Sequence, residues 1–314
     1  MKKLALLFVI CAFAQAIFAQ EETIFSHYTV TPVLINPSAA GFENEHQIQL
    51  NARAAWSGFP DAPKTYAAQY NGPLGDNFGI GVGVLSESAA QMMRIRGHLN
   101  YAFRFDISKK VELAAGFSTA FQQVRLDNGA TDNPLFQDGD QLIMDVMDGR
   151  SEFDASMGVY AGLGELDLNG KRPTHVGLAF TNLVKSNISG VDNANNEGSI
   201  LEHYTFFVRH RAYIADYNFH IEPSVFIRNV KNSPSQVDLN VRALFLEETL
   251  SAGLSYRSLG AAGLLLGVKL TSLQVNYSYD VFFQQFQRYN QGSHEVSVLL
   301  TLPRKSETTP GKRY

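Results

Sequence analysis

Histidines and carboxylates are the side chains of this sequence best suited to bind a metal or to transfer protons. The chain has eight histidines, but none of them takes the spacing of a zinc motif such as HExxH. Four aspartates near the longest predicted loop could offer oxygen ligands to Ca²⁺, although their spacing matches no calcium loop: Asp140, Asp145, Asp148 and Asp154. A solvated acidic loop explains these aspartates better, so we predict no metal site.

A glycine-rich segment, Gly79–Gly83, has the sequence GIGVG and resembles a phosphate-binding loop. It lacks the Lys-Ser/Thr ending of that loop, and no helix is predicted behind it. Glycines at alternate positions instead give a β-strand one thin face, which suits a close neighbouring backbone or a plug. The sequence also contains no convincing Ser-His-Asp order. We therefore predict no catalytic residue, no cofactor and no enzymatic activity.

Seven arginines on predicted polar faces could together form a charged interior: Arg94, Arg96, Arg104, Arg209, Arg211, Arg228 and Arg242. Four carboxylates could pair with them: Asp106, Glu222, Asp238 and Asp280. If the strands close into a barrel, these charges could form an ion-selective pore or a network that fills and stiffens the lumen. We favour the network, because paired charges can replace water in a buried interior.

Strands must position these side chains, and alternation of apolar and polar residues is the dominant pattern of the sequence. In the segment Met93–Asp106, Leu99 and Phe103 belong to an apolar face, and Arg96 and Asn100 to a polar one. Successive residues of a strand point to opposite faces, so this pattern indicates a strand. The pattern recurs along nearly the whole chain after the N-terminal segment, where no apolar run is long enough for a membrane-spanning helix.

The pattern predicts an all-β protein: a transmembrane antiparallel up-and-down outer-membrane β-barrel of about 14 strands. Connections after even-numbered strands are predicted to be tight and those after odd-numbered strands longer, as in barrels with periplasmic turns and extracellular loops. The segments Leu166–Arg172 and Leu259–Gly260 are exceptions. The predicted strands cover residues 46–55, 65–72, 78–86, 92–106, 110–123, 153–163, 173–183, 203–213, 217–230, 236–245, 248–258, 261–269, 272–280 and 294–302.

The chain starts with two lysines, an apolar run and small residues, a pattern typical of a secretory signal peptide. We predict a signal peptide at residues 1–19, with cleavage after Ala19 or, as the alternative, after Ala16. A short N-terminal periplasmic, plug-like segment at 20–45, the barrel at 46–302 and a polar tail at 303–314 follow, with both termini in the periplasm. The single cysteine, Cys11, falls in the signal peptide, and the net charge of −4 does not indicate nucleic-acid binding.

Two motifs give the sequence a resemblance to a known family. The segment Ile35–Gly41, INPSAAG, resembles the N-terminal signature of the PorP/SprF family, and Trp56–Tyr66, WSGFPDAPKTY, resembles a loop of that family. Later segments such as Gly253–Arg257 and Gly292–Glu295 are also similar to it, so the resemblance covers almost the whole predicted mature chain. The motif residues that could shape the fold or contact a partner are Asn36, Pro37, Gly41, Trp56, Gly58, Pro60, Pro63, Asp238, His294 and Glu295.

This resemblance implies an outer-membrane component of the type IX secretion system of Bacteroidota, which supports secretion and surface anchoring of large exported proteins such as gliding adhesins. It further implies work with the periplasmic ring subunits PorK and PorN, and with secreted cargo that bears a C-terminal sorting domain. The alternative is a FadL-like channel for small or hydrophobic solutes, because such channels also carry an N-terminal plug inside a barrel of similar size. A barrel fold alone does not decide between these functions.

Overall fold

The computed structural model describes residues 25–126, 149–167, 170–184, 203–231, 233–283 and 291–304. Within these ranges the strands are β1 (Glu45–Ala54), β2 (Lys64–Pro73), β3 (Phe78–Ala89), β4 (Met92–Ser108), β5 (Val111–Leu126), β6 (Arg150–Leu163), β7 (Thr174–Phe180), β8 (Tyr204–His210), β9 (Ala212–Ile214), β10 (Phe219–Asn229), β11 (Gln236–Phe245), β12 (Leu250–Arg257), β13 (Ala261–Leu270), β14 (Leu273–Phe282) and β15 (Ser293–Pro303). Short 3₁₀ helices span Pro32–Leu34, Pro37–Ala39 and Ala215–Tyr217. None of the helices in these ranges is long and apolar enough to cross a membrane.

The strands form one closed antiparallel sheet. Apart from β8 and β9, strands adjacent in the chain are paired, and β15 pairs with β1 along the whole length of β1, which closes the ring. Strands β8 and β9 both pair with β10 and are two parts of one barrel strand, so 14 strands surround the lumen. Because the ring is closed, every strand has a neighbour on both sides for its backbone hydrogen bonds, as a sheet that faces lipid requires. The predicted outer-membrane barrel of about 14 antiparallel strands is confirmed.

The interruption between β8 and β9 falls at Arg211, whereas the sequence predicts one unbroken strand over residues 203–213. Pro223 of β10 falls between Ile221, which pairs with Ala212, and Ser224, which pairs with Arg209. Proline has no backbone N–H, so Pro223 cannot donate a ladder hydrogen bond where the pairing is interrupted. On the other side, the N–H of Arg211 donates to the carbonyl of Pro173, the residue before β7, at 2.7 Å.

Apolar side chains cover the outside of the barrel and polar side chains line the lumen. On β11, Leu239 and Val241 are exposed outward, whereas Asp238, Asn240 and Arg242 are buried inside. A surface that faces lipid needs apolar side chains, and in a strand these alternate with residues that face the lumen. The alternation that predicted the strands therefore also predicted which side chains face the lumen.

The two ends of the barrel differ in their connections. At the short-turn end β1 begins and β15 ends, and Lys109 and Lys110 alone join β4 to β5. At the long-loop end the connections include residues 55–63, 127–149, 181–203 and 283–292. In outer-membrane barrels short turns lie in the periplasm and long loops outside the cell. This contrast is the basis on which we propose below that the short-turn end faces the periplasm.

Residues 25–44, which we call the plug, lie inside the lumen and are almost entirely buried. The ring of Tyr28 lies 4.8 Å from that of Phe226 and 5.9 Å from that of Phe207. The ring of Phe42 lies 4.8 Å from that of Tyr160. The apolar core of the molecule is thus formed between the plug and the barrel wall. In the part of the chain that the structure describes, the lumen is packed with protein.

Candidate functional site

Five charged residues meet inside the lumen near the long-loop end and form the rim cluster: Arg53, Asp238, Arg257, Asp280 and Glu295. The guanidinium of Arg53 lies 2.8 Å from the carboxylate of Asp280 and 3.0 Å from that of Glu295. The guanidinium of Arg257 lies 3.3 Å from Asp280 and 3.5 Å from Asp238. All five residues are buried, so each charge needs its partners to offset the loss of water.

The first described residues of the plug complete the rim cluster. The backbone N–H of Ser26 donates to Glu295 at 2.8 Å, and the N–H of His27 donates to the same carboxylate at 3.4 Å. The hydroxyl of Ser26 accepts hydrogen bonds from Arg53 at 3.0 Å and from Arg257 at 2.6 Å. The cluster has more carboxylates than guanidiniums, and the plug supplies the additional donors. Such charge-assisted hydrogen bonds are strong, so they tie the plug to the strand ends.

The Asn36-Pro37 pair begins the second 3₁₀ helix and lies buried in the plug. The side-chain oxygen of Asn36 accepts from the N–H of Ser38 at 2.9 Å, and its side-chain N–H donates to the carbonyl of Val159 at 2.9 Å. Pro37 occupies the first helical position, where no N–H is needed. In this geometry both residues shape the plug and Asn36 also attaches it to β6.

The middle of the plug lies against inward-facing glycines, which together form the glycine wall: Gly79 and Gly81 of β3, Gly116 of β5, Gly158 and Gly162 of β6, and Gly177 of β7. A Cβ added at Gly116 would come within 2.5 Å of the Cα of Ser38, and one at Gly79 would overlap the carbonyl oxygen of Ala40. Glycine alone leaves room for a backbone this close. Gly79, the first glycine of the segment Gly79–Gly83, therefore serves the close approach of the plug.

Gly41 ends the INPSAAG motif with a left-handed backbone, at a φ of +64°. Its N–H donates to the side-chain oxygen of Asn71 in β2, at 3.3 Å. A Cβ at Gly41 would come within 2.6 Å of the carbonyl oxygen of Gly72. Both the positive φ and the close contact require glycine at this position.

Arginines of the wall fix the plug on its other sides. Arg209 of β8 donates to the carbonyl of Thr29 at 2.7 Å, and Arg104 of β4 donates to the carbonyl of Phe42 at 2.9 Å. These carbonyls are acceptors that the irregular plug backbone would otherwise leave without a partner inside the lumen. The predicted inward arginines thus bind the plug as well as carboxylates.

Glu43 is the acidic residue of the plug and lies beside basic side chains of the wall. Its carboxylate is 3.4 Å from Arg209 and 3.9 Å from His175. Burial alone would raise the pKa of Glu43, but the electrostatic influence of His175, Lys171 and Arg209 lowers it to about 2. Glu43 therefore stays ionised at neutral pH.

A second buried ion cluster lies in the lumen closer to the short-turn end. The carboxylate of Glu222 in β10 binds Arg242 and, at 3.0 Å, Arg211. Arg211 also lies 2.8 Å from Glu248. The predicted pairing of lumen arginines with carboxylates is confirmed for these residues.

The tryptophan loop, residues 55–63, connects β1 to β2 at the long-loop end. Ser57 donates its N–H to the carbonyl of Gly292 at 2.8 Å and accepts from the N–H of Gln291 at 2.7 Å. The N–H of Trp56 donates to the hydroxyl of Ser293 at 3.0 Å. Two motifs that are far apart in the sequence, the tryptophan loop and the segment before β15, therefore meet at this end of the barrel.

Backbone geometry makes the tryptophan loop compact. Gly58 has a φ of +103°, and the carbonyl of Pro63 accepts from the N–H of Ala55 at 2.9 Å. Pro60 is exposed at the tip, where its ring restricts the backbone. Trp56 remains 43 % exposed, and Phe59 is exposed beside Pro60.

The last three candidate residues, Asp238, His294 and Glu295, do not lie together. Asp238 and Glu295 are buried in the rim cluster. The ring of His294 lies on the opposite face of β15, where its Nδ1 is 2.8 Å from the hydroxyl of Tyr277. Whether any of the motif residues contacts a partner stays a prediction.

Below the plug, an open cavity of about 610 Å³ faces the short-turn end, and we call it the vestibule. The plug residues 42–44 form its inner boundary, and the turns around Ser108 and Gly170 form part of its mouth. Its charged lining residues are Arg104, Lys109, Lys171, Arg172, Arg304, Glu43, Asp76, Asp106 and Glu112. The sequence did not predict this cavity.

The described ranges contain no group of three or more histidine, cysteine, aspartate or glutamate side chains that could hold a metal ion. Of the aspartates considered as calcium ligands, Asp140, Asp145 and Asp148 lie outside the described residues. Asp154 lies 3.2 Å from the guanidinium of Arg96.

Sequence reasoning missed that Arg53 and Arg257 are central to the rim cluster, and that Glu43 carries a buried charge. A signal for Arg53 was available, since it follows Gln49 and Asn51 on the polar face of β1. Nothing local indicated its partners, because barrel closure brings them from the last strands of the chain.

Comparisons with known proteins agree with the motifs. The model of the family described as type IX secretion system membrane protein PorP/SprF matches residues 17–300. A comparison with curated proteins gives no match. Among solved structures, the CymD monoaromatic hydrocarbon channel is similar at a TM-score of 0.52 and 11 % identity, over 90 % of this chain and 94 % of that chain. A Pseudomonas aeruginosa FadL homologue has a TM-score of 0.48 and 12 % identity, over 85 % and 92 % of the two chains.

The likeness to CymD at this low identity shows the barrel fold alone. The family model, by contrast, covers nearly the whole chain, including the plug motif, the tryptophan loop and the rim cluster. The chain belongs to the PorP/SprF family of type IX secretion system membrane proteins.

Proposed function

We propose that this protein is a non-enzymatic outer-membrane component of the type IX secretion system that supports secretion and surface anchoring of large exported proteins such as gliding adhesins. It works with the periplasmic ring subunits PorK and PorN, and with cargo that bears a C-terminal sorting domain. Family membership supports the choice of system. The fold supports a role in binding partners, because it leaves the two ends of the barrel available for contact and fills the lumen between them.

The observation that carries the proposal is the packed lumen. The plug is bound at the rim cluster, along the glycine wall and by Arg104 near the short-turn end. A folded cargo domain has no path through a lumen of this kind. The barrel therefore acts by holding partners at its two ends, outside the cell at the long loops and in the periplasm at the vestibule.

The tryptophan loop is the candidate contact for cargo at the cell surface. Trp56 and Phe59 expose aromatic surface on a loop that is braced by hydrogen bonds to the start of β15. Aromatic side chains held on a rigid support are typical anchors of protein interfaces, because they bury large area at low entropic cost.

A quantitative proteome of the cell surface and the culture fluid tests the proposal. A clean deletion strain of the native host is compared with the same strain complemented by the wild-type gene. We expect loss of one or a few large surface proteins, or of many exported proteins together, while other outer-membrane proteins stay unchanged. An unchanged proteome, in a strain without a related gene that could substitute, would refute the secretion role.

Complementation with variants tests the tryptophan loop. We expect the double variant Trp56→Ala/Phe59→Ala to restore the barrel but not the full surface level of the cargo. The matched control is Tyr217→Ala, since Tyr217 is a 77 % exposed aromatic at the short-turn end. Equal cargo levels in the two variants would exclude the tryptophan loop as the contact.

A channel for small or hydrophobic solutes is the second candidate. The buried N-terminal plug favours it, because a plug that moves could open a path through the lumen. Solute flux into liposomes that contain the purified barrel distinguishes the two functions. The secretion proposal predicts no flux above that of empty liposomes, whereas saturable flux would move the channel to first place.

A further inference from the structure

The vestibule presents arginines that are held in place before any ligand arrives. Arg172 donates to the carbonyl of Gly164 at 2.8 Å and to that of Lys109 at 3.1 Å, and its Nε lies 3.5 Å from Glu112. Its remaining terminal nitrogen lies 3.6 Å from Asp106, whose side chain is 73 % exposed. An ion pair this exposed contributes little stability, so another carboxylate can take the place of Asp106.

Arg304 repeats this arrangement at the other side of the mouth. It donates to the carbonyl of Gly75 at 3.0 Å and to the side chain of Asn44 at 3.3 Å. Its carboxylate partner, Asp76, lies at 2.9 Å and is 89 % exposed. Here too a backbone carbonyl holds the guanidinium, and the aspartate that neutralises it is the solvated member of the pair.

A deeper donor of the vestibule also lacks an acceptor. The Nε of Arg104, which lines the vestibule, is buried and has no hydrogen-bond partner among the described residues. Of the lining carboxylates, Glu112 is already shared between Arg104 and Arg172, and Glu43 lies against Arg209. The vestibule therefore has a buried donor that its own carboxylates leave without a partner.

We propose that the vestibule binds an extended acidic segment of a periplasmic protein. Carboxylates of that segment replace Asp106 on Arg172 and Asp76 on Arg304, and the exposed aspartates return to water. The volume of about 610 Å³ suits several residues of a peptide and falls in the range of about 300–1,000 Å³ typical of binding clefts. This site does not depend on which of the two functions above is correct.

A peptide suits the vestibule better than a lipid headgroup does. Its lining consists of inward-facing strand residues, plug residues and turns, so its mouth opens to the periplasm and not to the membrane. Arg172 lies in the connection between β6 and β7, and Arg304 follows the last strand, β15. An extended chain can reach both with successive acidic side chains.

Fluorescence anisotropy on the purified full-length barrel in detergent micelles tests the proposal. The probes are fluorescein-labelled hexaglutamate and triglutamate, with hexalysine as the control and inorganic phosphate as a competitor. We expect saturable binding of hexaglutamate, about tenfold tighter than that of triglutamate and weakened as salt rises. Two results would overturn the peptide site. One is an affinity for hexalysine equal to that for hexaglutamate. The other is an equal affinity for the two glutamate peptides together with their full displacement by millimolar phosphate.

Variants locate the binding and keep the test independent of folding. Arg304→Glu should weaken hexaglutamate binding about tenfold, whereas Asp106→Asn should tighten it about threefold, because it removes the competing carboxylate. Lys110→Glu is the matched control, since Lys110 is exposed at the same end and does not line the vestibule. Tighter binding cannot result from misfolding. If Asp106→Asn binds no tighter than wild type, or if Lys110→Glu weakens binding as much as Arg304→Glu, the proposal is wrong.

Discussion

The rim cluster and the glycine wall hold the same plug by opposite means. At the rim cluster, long charged side chains reach inward and bond to Ser26. At the glycine wall, the strands present no side chains, and the plug backbone around Ser38 and Ala40 comes directly against the strand backbone. The rim cluster holds the plug through charged, directional hydrogen bonds, and the glycine wall holds it through close packing.

This difference separates two requirements of a buried irregular segment. Its polar backbone groups need partners, which the rim cluster supplies through charged side chains. Its bulk needs space, which the glycine wall supplies through positions that no larger residue can occupy. We therefore expect the first region to fail through electrostatics and the second through packing, and the predictions below test this in order of decreasing effect.

The largest effect should come from Arg53→Leu. The variant leaves the buried carboxylates of Asp280 and Glu295 without their bridging cation, and breaking a buried pair in this way costs about 3–5 kcal/mol. Urea unfolding in micelles measures the loss, and Trp56, the one tryptophan of the chain, supplies the fluorescence signal.

The control for Arg53→Leu is Glu295→Gln, which keeps the size of the side chain and leaves the rim cluster with as many carboxylates as guanidiniums. We expect this variant to lose clearly less stability. A loss equal to that of Arg53→Leu would show that charge balance does not govern the rim cluster.

Gly79→Val should displace the plug without changing any charge. The new side chain would overlap the carbonyl of Ala40, and overpacking of this kind costs about 1–3 kcal/mol. A cysteine placed at Ser38, which is fully buried, should be protected from maleimide in the parent and labelled in the variant. Gly97→Val is the control, since a Cβ at Gly97 meets nothing within 4 Å; equal protection in both variants would contradict the steric role.

Acid should weaken the hold on the plug through His27. Burial lowers the pKa of His27 to about 4 from its ordinary 6.5, against the opposing charge of Glu295. Because the folded-state pKa lies below the unfolded one, this contribution is complete above pH 6.5 and is lost as the pH falls toward 4. The free energy of unfolding should drop by about 2 kcal/mol between pH 7 and pH 5. Glu43 adds a loss only below its ordinary pKa of 4.5.

Urea unfolding of wild type and His27→Gln at the two pH values measures this effect. The drop should be smaller by about 2 kcal/mol in His27→Gln than in the control His210→Gln, whose ring lies at the outer surface. The defect of Gly79→Val, which involves no charge, should be the same at both pH values. An equal drop in His27→Gln and His210→Gln would assign the effect to other groups.

The smallest effect should come from Lys110→Ala. Lys110 pairs with Glu165 at 2.9 Å, but both side chains are mostly exposed at the short-turn end. Water and salt screen such pairs, so we expect no measurable change in unfolding. A clear loss would mean that distance alone, without burial, determines the strength of ion pairs in this protein.

The sequence predicted the barrel because alternation is a local property of each strand. The bounds of β11, for example, are 236–245 in both the prediction and the structure. The break at Arg211 was not predicted, although Pro223 was visible, because the effect of a proline depends on which residue lies opposite. The inward direction of Arg53 followed from its position on β1, whereas its pairing with Asp280 and Glu295 depends on closure.

The sequence showed which motif residues to consider, but it did not show which residues they contact. Asn36 and Gly41 stood out by type, yet their roles depend on Val159 and Asn71, which the fold brings to them. The vestibule had no sequence signal, because its lining comes from the plug, several turns and the end of the last strand.

The position of the rim cluster also links the closure of the ring to the docking of the plug. Arg53 and Glu295 are register partners across β1 and β15, the pair of strands that closes the ring, and both bind Ser26. The residues that join the first and last strands are therefore the same residues that hold the N-terminal segment inside. A change that weakens one of these two contacts should weaken the other, because neighbouring groups of one network are energetically coupled.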